Sequence, residues 1–148
     1  MVEIRNKRQG GFWMKNKRFL YLLLPVVTLS LEMLPYGAVC NFANPEGKSW
    51  RRTYSYFSLT PFGYANFAPL LTAIVTCAIL VLLLTYCFTD RHRVVGAVKA
   101  LLCVGAILSL CPLLLGVSFY SLVGGLISAS LIAELVLIFC FTKDKKEG

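Results

Sequence analysis

Residues 64–88 read YANFAPLLTAIVTCAILVLLLTYCF, a run without a single Asp, Glu, Lys or Arg. Its rings stand at its two ends, Tyr64 and Phe67 before it deepens, Tyr86 and Phe88 where it closes. At about 1.5 Å rise per residue such a run crosses a hydrocarbon core of about 30 Å as one helix. Three more runs of similar length follow from the same reading: Phe19 to Ala38, Val94 to Gly116 and Phe119 to Thr142. The ten Phe, seven Tyr and two Trp all lie at or beyond run ends. Amphipathic rings settle at headgroup level, so the chain marks its own interfaces. The expected fold is all-α, an integral membrane bundle of four transmembrane helices over 19–38, 64–88, 94–116 and 119–142, in a single membrane domain of 148 residues.

Composition agrees with that reading. Hydrophobic residues make up 57% of the chain and charged ones 15%, with a mean hydropathy of +0.70. A water-soluble domain is not expected. The formal net charge of +8 suggests nucleic acid until the charges are placed. Basic residues cluster in 1–18, at Arg91, Arg93 and Lys99, and at Lys143, Lys145 and Lys146; only Lys48, Arg51 and Arg52 lie between the first two runs. That is the positive-inside bias, with both termini cytoplasmic. No nucleic-acid partner is expected, because these positions form no binding face.

Residues 1–18 form a basic leader with Phe12, Trp13 and Met14 at its centre, suited to an anionic inner leaflet. The outer loop, 39–63, is the one sizeable segment outside the runs. Asn44-Pro45-Glu46-Gly47 has the residue order of a type I turn. Beyond it Trp50, Tyr54 and Phe57 recur at helical spacing beside Arg51 and Arg52, which predicts a short interfacial helix; a strand is the weaker reading. Trp50, Arg51 and Arg52 are the expected recognition residues of this loop. Two phrases flank it, Pro35-Tyr36-Gly37 and Pro61-Phe62-Gly63, each a helix-stopping step able to shape a lid.

Five of the six cysteines lie inside apolar runs and only Cys40 faces the outer loop, so packing residues rather than disulfides are expected, and no metal or cofactor. A cleaved leader is not expected, since Glu32 and two prolines interrupt the first run. His92 has no partner at metal-ligand spacing, and Lys99 lies near enough to a helix end to snorkel.

The fourth run carries Ser121, Gly125, Ala129 and Ala133 at four-residue spacing, the expected packing stripe for a hairpin with the third run or for a homodimer. Gly105 and Ser109 offer a matching strip. The connection between these runs is read as Val117 to Ser118 alone.

Two acidic side chains within the runs are the strongest functional leads. Glu32 falls roughly 9 Å below the outer edge and Glu134 roughly 12 Å above the inner edge. A carboxyl facing lipid is costly, so both are expected to face the interior. Pro35 is expected to free the carbonyl of Leu31 beside Glu32. Thr28 lies one turn before Glu32 and Ser130 one turn before Glu134; Thr72 and Ser109 fall near the level of Glu32 and Thr76 near that of Glu134, and the candidate proton- or ligand-binding set is Glu32, Glu134, Thr72 and Ser109. The size and the acidic first run resemble small multidrug transporters in topology alone; the Pro25 and Pro35 context of Glu32 and the long loop depart from that pattern, and no residue role is carried over. No nucleophile elbow, phosphate loop or zinc signature is present. The expected role is a non-enzymatic accessory or binding component at the cell membrane, engaging lipid, another membrane protein or a second copy. The alternative is a compact proton-linked transporter using Glu32 and Glu134.

Overall fold

The computed structural model describes residues 22–42, 47, 50–64, 66–89 and 92–144, the side chains of 92 and 141–144 excepted. The basic leader, most of the Asn44–Gly47 turn, and Lys145 and Lys146 lie outside the described residues. The chain runs α1 (Leu22–Met33), β1 (Ala38–Phe42), β2 (Trp50–Tyr54), α2 (Leu59–Gly63), α3 (Ala68–Thr89), α4 (His92–Leu114), a 3-10 turn (Val117–Phe119) and α5 (Leu122–Asp144). Three of these helices, α3, α4 and α5, are long and apolar enough to cross a membrane. The described part of α1 is apolar but shorter.

The prolines explain several boundaries. Pro35 cannot continue α1, which stops at Met33, while Leu34 N–H turns back to the carbonyl of Leu31 at 3.2 Å. The expected vacancy on Leu31 is therefore filled by this tightened last turn. The carbonyl of Glu32 is satisfied from farther away, by Tyr56 N–H at 2.9 Å. Pro69 stands in the first turn of α3, where its missing donor costs nothing. Pro112 lies inside α4, which ends two residues later. Leu115 and Gly116 then bond back to Pro112 and Leu113, and Gly116 takes φ +121°, a conformation open to glycine. The connection to α5 is thus a built turn spanning Leu115 to Ser121, longer than the two residues expected.

The outer loop corrects the all-α expectation. Trp50–Tyr54 is a strand, paired antiparallel with Ala38–Phe42 in the register Ala38↔Tyr54 to Phe42↔Trp50. A short helix does form, but later, at Leu59–Gly63, with Ser58 accepting from Thr60 N–H at its start. The two flanking phrases consequently differ in structure: Pro35-Tyr36-Gly37 enters β1, whereas Pro61-Phe62-Gly63 is part of α2. The molecule is mostly helical, with a two-stranded ribbon at one end.

That ribbon is asymmetric. Ala38, Val39 and Cys40 are buried, while Trp50, Arg51 and Arg52 are exposed. β1 lies against the 3-10 turn, and Arg51 Nη2 donates to the carbonyl of Tyr120 at 2.9 Å, tying the ribbon to the α4–α5 connection. Phe42 packs between Trp50 and Tyr64, with ring centroids 5.2 and 4.9 Å away. Gly37 lies flat on the ring of Tyr56, where an added Cβ would stand 2.8 Å from Cδ1.

Among the helices, α3 packs most extensively on α4, and α4 then on α5. The apolar core joins Ala73, Ile79 and Leu83 of α3, Val98 and Leu102 of α4, and Ile127, Leu131 and Ile138 of α5. On α5 the buried positions are Ser121 just before it, then Gly124, Ile127, Ser128, Leu131, Glu134 and Ile138. Of the expected stripe, Ser121 is buried, Gly125 half-buried, and Ala129 and Ala133 are exposed. The face that packs within the chain is rotated from that stripe by about one residue. Gly124 and Gly105 are the close-approach glycines: a Cβ on the first would meet Ser121 Oγ at 3.2 Å and on the second Val75 Cγ1 at 3.3 Å.

Candidate functional site

Helical spacing assembles the buried polar groups in pairs. Thr28 and Glu32 share one face of α1, Thr72 and Thr76 one face of α3, and Ser130 and Glu134 one face of α5, each pair four residues apart. Glu32 is 0% exposed and Glu134 3%, with Thr28, Thr72 and Thr76 all at 0%. Each carboxyl is met by a threonine from another helix. Glu32 Oε1 lies 2.8 Å from Thr76 Oγ1, and Glu134 Oε1 lies 2.7 Å from Thr28 Oγ1. Thr28 Oγ1 also stands 2.5 Å from Ser130 Oγ. Glu32 and Glu134 thus join α1 to α3 and α5 within one polar cluster, and the two carboxyls are within electrostatic reach of one another. The second oxygen of each, Oε2, is buried and has no hydrogen-bond partner.

The other two residues of the expected set take different places. Thr72 is buried beside this cluster but spends its hydroxyl on the carbonyl of Ala68 in its own helix, at 2.8 Å. Ser109 bonds the carbonyl of Ala106, and its own carbonyl accepts from Ser128 Oγ at 3.2 Å. It belongs to a second polar group nearer the ribbon. There Ser128 meets Tyr120 OH at 2.7 Å, and Ser121 Oγ accepts from Gly124 N–H and donates to the carbonyl of Gly37. Tyr56 borders this group, and burial pushes its phenol above the ordinary range.

Sequence reasoning placed Thr76 at the depth of Glu134, whereas it bonds Glu32. It did not single out Thr28 and Ser130 as partners of Glu134, although each was noted one turn from a carboxyl. The four-residue spacing was the available signal. What it lacked was which helix α1 touches, and α1 touches both α3 and α5.

Trp50, Arg51 and Arg52, the residues expected to serve recognition, are exposed on β2, with different attachments. Arg51 is committed to Tyr120, and the Arg52 guanidinium lies 5.0 Å from the centroid of the Trp50 ring, a cation–π pair. Cys40 is a buried free thiol, pushed up by desolvation. Lys99 Nζ lies 4.5 Å from the Phe139 ring centroid, so its ammonium rests on an aromatic face near the helix end. Among the described residues no group of three or more His, Cys, Asp or Glu gathers as a metal site. No family model, curated protein or solved structure matches the chain.

Proposed function

We propose that this is a polytopic membrane protein of the cell membrane, a four-helix bundle with both termini cytoplasmic, acting as a non-enzymatic accessory component. Its binding elements are the outer ribbon and the lipid-facing helix sides, and its partners are bilayer lipid and another membrane protein. The observation that carries this reading is the disposition of the two intramembrane carboxyls. Both are buried in contacts between helices, each on a threonine of a neighbour. Carboxyls used this way are interhelical glue, a structural use of an expensive group. Among the described residues β2 exposes two guanidinium groups, Arg51 and Arg52, beside the Trp50 ring.

The test is purification from native membranes in mild detergent, followed by native mass spectrometry. The wild type should retain phospholipid or a partner chain, and a Trp50→Ala, Arg51→Ala, Arg52→Ala variant should retain less. Equal retention by both removes the ribbon as the binding element.

A second reading, a proton-linked transporter, draws on the unpartnered Oε2 atoms of Glu32 and Glu134. Such a transporter would work as a homodimer, since four helices enclose little space. Here Glu32→Gln separates the two roles, because an amide keeps a hydrogen bond but exchanges no proton. Loss of pH-dependent uptake or binding favours the transporter; unchanged partner retention with no proton-linked activity in either protein favours the accessory role.

A further inference from the structure

The hydroxyls that hold the two carboxyls have too few protons for the acceptors around them. Thr76 Oγ1 lies 3.1 Å from the carbonyl of Thr72 and 2.8 Å from Glu32 Oε1. Thr28 Oγ1 lies 3.0 Å from the carbonyl of Leu24 and 2.7 Å from Glu134 Oε1, with Ser130 Oγ at 2.5 Å. A hydroxyl has one donor hydrogen and two acceptor lone pairs. With both carboxyls ionised, each threonine faces two acceptors with a single proton. Sharing it would leave a fully buried carboxylate with part of one hydrogen bond and an unpartnered second oxygen, a cost of several kcal/mol in such surroundings.

The inventory closes if the missing protons sit on the carboxyls. Glu32 then donates to Thr76, which donates to the carbonyl of Thr72. Glu134 donates to Thr28, which donates to the carbonyl of Leu24 and accepts a second bond from Ser130. All three bonding sites of Thr28 are then filled. The unpartnered Oε2 atoms carry no formal charge, which makes burying them far less costly. The surroundings fit this state. The titratable groups of the described residues that interact with Glu32 include Glu134, Cys77 of α3 and Tyr56, a carboxyl, a thiol and a phenol, none of them a cation. Among the described residues no Lys or Arg hydrogen-bonds either carboxyl.

We propose that Glu32 and Glu134 form a site for two protons, bound as a pair of carboxylic acid–threonine clasps, Glu32 to Thr76 and Glu134 to Thr28, that fasten α1 to α3 and α5. The site stands independently of the accessory role, since it concerns the occupancy of the cluster and not what the ribbon binds. Its ligand is the proton itself, and a neutral hydrogen-bond donor is the chemistry each threonine accepts.

Infrared difference spectroscopy of the full chain in lipid at neutral pH reads this directly. A protonated carboxyl has a carbonyl stretch well separated from carboxylate bands, and it moves in D2O. Two such contributions are expected, one lost in Glu32→Gln and the other in Glu134→Gln. Gln keeps a donor to the same threonine, so both variants should fold. A third variant needs no change at either carboxyl: Thr76→Val removes the acceptor of Glu32, and should shift the Glu32 band toward a weaker hydrogen bond while leaving the Glu134 band in place. Absence of carboxylic acid bands in the wild type overturns the proposal, as does either single glutamine variant keeping both bands. An unmoved Glu32 band in Thr76→Val overturns the Glu32 clasp.

Discussion

Replacing Gly124 by Leu tests which face of α5 holds the helices together. A Cβ at Gly124 would stand 3.2 Å from Ser121 Oγ and 3.4 Å from both the carbonyl oxygen of Gly37 and the Tyr56 hydroxyl. Leucine adds three more heavy atoms into that space, and two of those neighbours resist. The Gly37 carbonyl is backbone, and Tyr56 is held against Gly37 on its other side. Overpacking of this kind costs about 1–3 kcal/mol. Displacing Ser121 would also disturb its bonds to Gly124 N–H and to the Gly37 carbonyl, at about 1 kcal/mol each. The better helix propensity of Leu returns just under about 1 kcal/mol. The net expectation is a loss of about 2–4 kcal/mol, roughly a thirty- to thousandfold fall in the folded-to-unfolded ratio. At Gly125 the same Cβ meets only Tyr120 Cε1, at an ordinary 3.5 Å. Gly125→Leu should therefore leave stability unchanged or slightly raised. Denaturant or thermal unfolding of both variants in one detergent measures the pair. If Gly125→Leu proves the more damaging, α5 is packed through Gly125, Ala129 and Ala133, and the arrangement described above is wrong.

Thr28→Val should cost about 1–3 kcal/mol, because it strands Glu134 and Ser130 together. Thr72→Val, whose lost hydroxyl bonds only its own helix, should stay within about 0.5 kcal/mol; equal losses in unfolding experiments would remove the distinction. Single reporter cysteines in a cysteine-free background should label from outside at position 47 and not at 92 or 145. Outside labelling at 92 would reverse the proposed orientation. In the native protein Cys40, buried with its thiol pushed up, should alkylate slowly near neutral pH and rapidly after unfolding. Fast labelling of the folded chain would mean that β1 is open to water.

Three of the four apolar runs, and the burial of the two carboxyls, were legible because run length and the cost of an exposed charge on an apolar helix are read residue by residue and need no partner. The small-residue stripe misled for a geometric reason. Steps of four residues advance about 400° around a helix, so each drifts about 40° from the last, carrying Ser121 at the buried start into the exposed Ala133. The face that packs within the chain alternates steps of three and four, through Gly124, Ile127, Leu131, Glu134 and Ile138, with Ser128 alongside. The ribbon was hidden for another reason. β1 is covered on both sides and Trp50, Arg51 and Arg52 are uncovered on both, so neither strand carries the period-2 alternation by which a half-buried strand is recognised. Thr76 was placed wrongly because depth along a run locates a residue within its own helix but does not say where a neighbour stands.

The long reach of the Thr28 to Glu134 bond, 106 residues along the chain, sets a timetable for biogenesis. Synthesis delivers Glu32 first, and its partner Thr76 follows 44 residues later. Thr28 waits for Ser130 and Glu134, 102 and 106 residues on, and the Gly37 carbonyl for Ser121, 84 residues on. A nascent chain lacking α5 therefore presents an α1 with half of its polar contacts open, the kind of exposed intermediate that membrane chaperones and quality-control proteases recognise. Of the described helices α5 is made last and it locks α1, so removing α5 should be felt most at α1 and at the start of the ribbon.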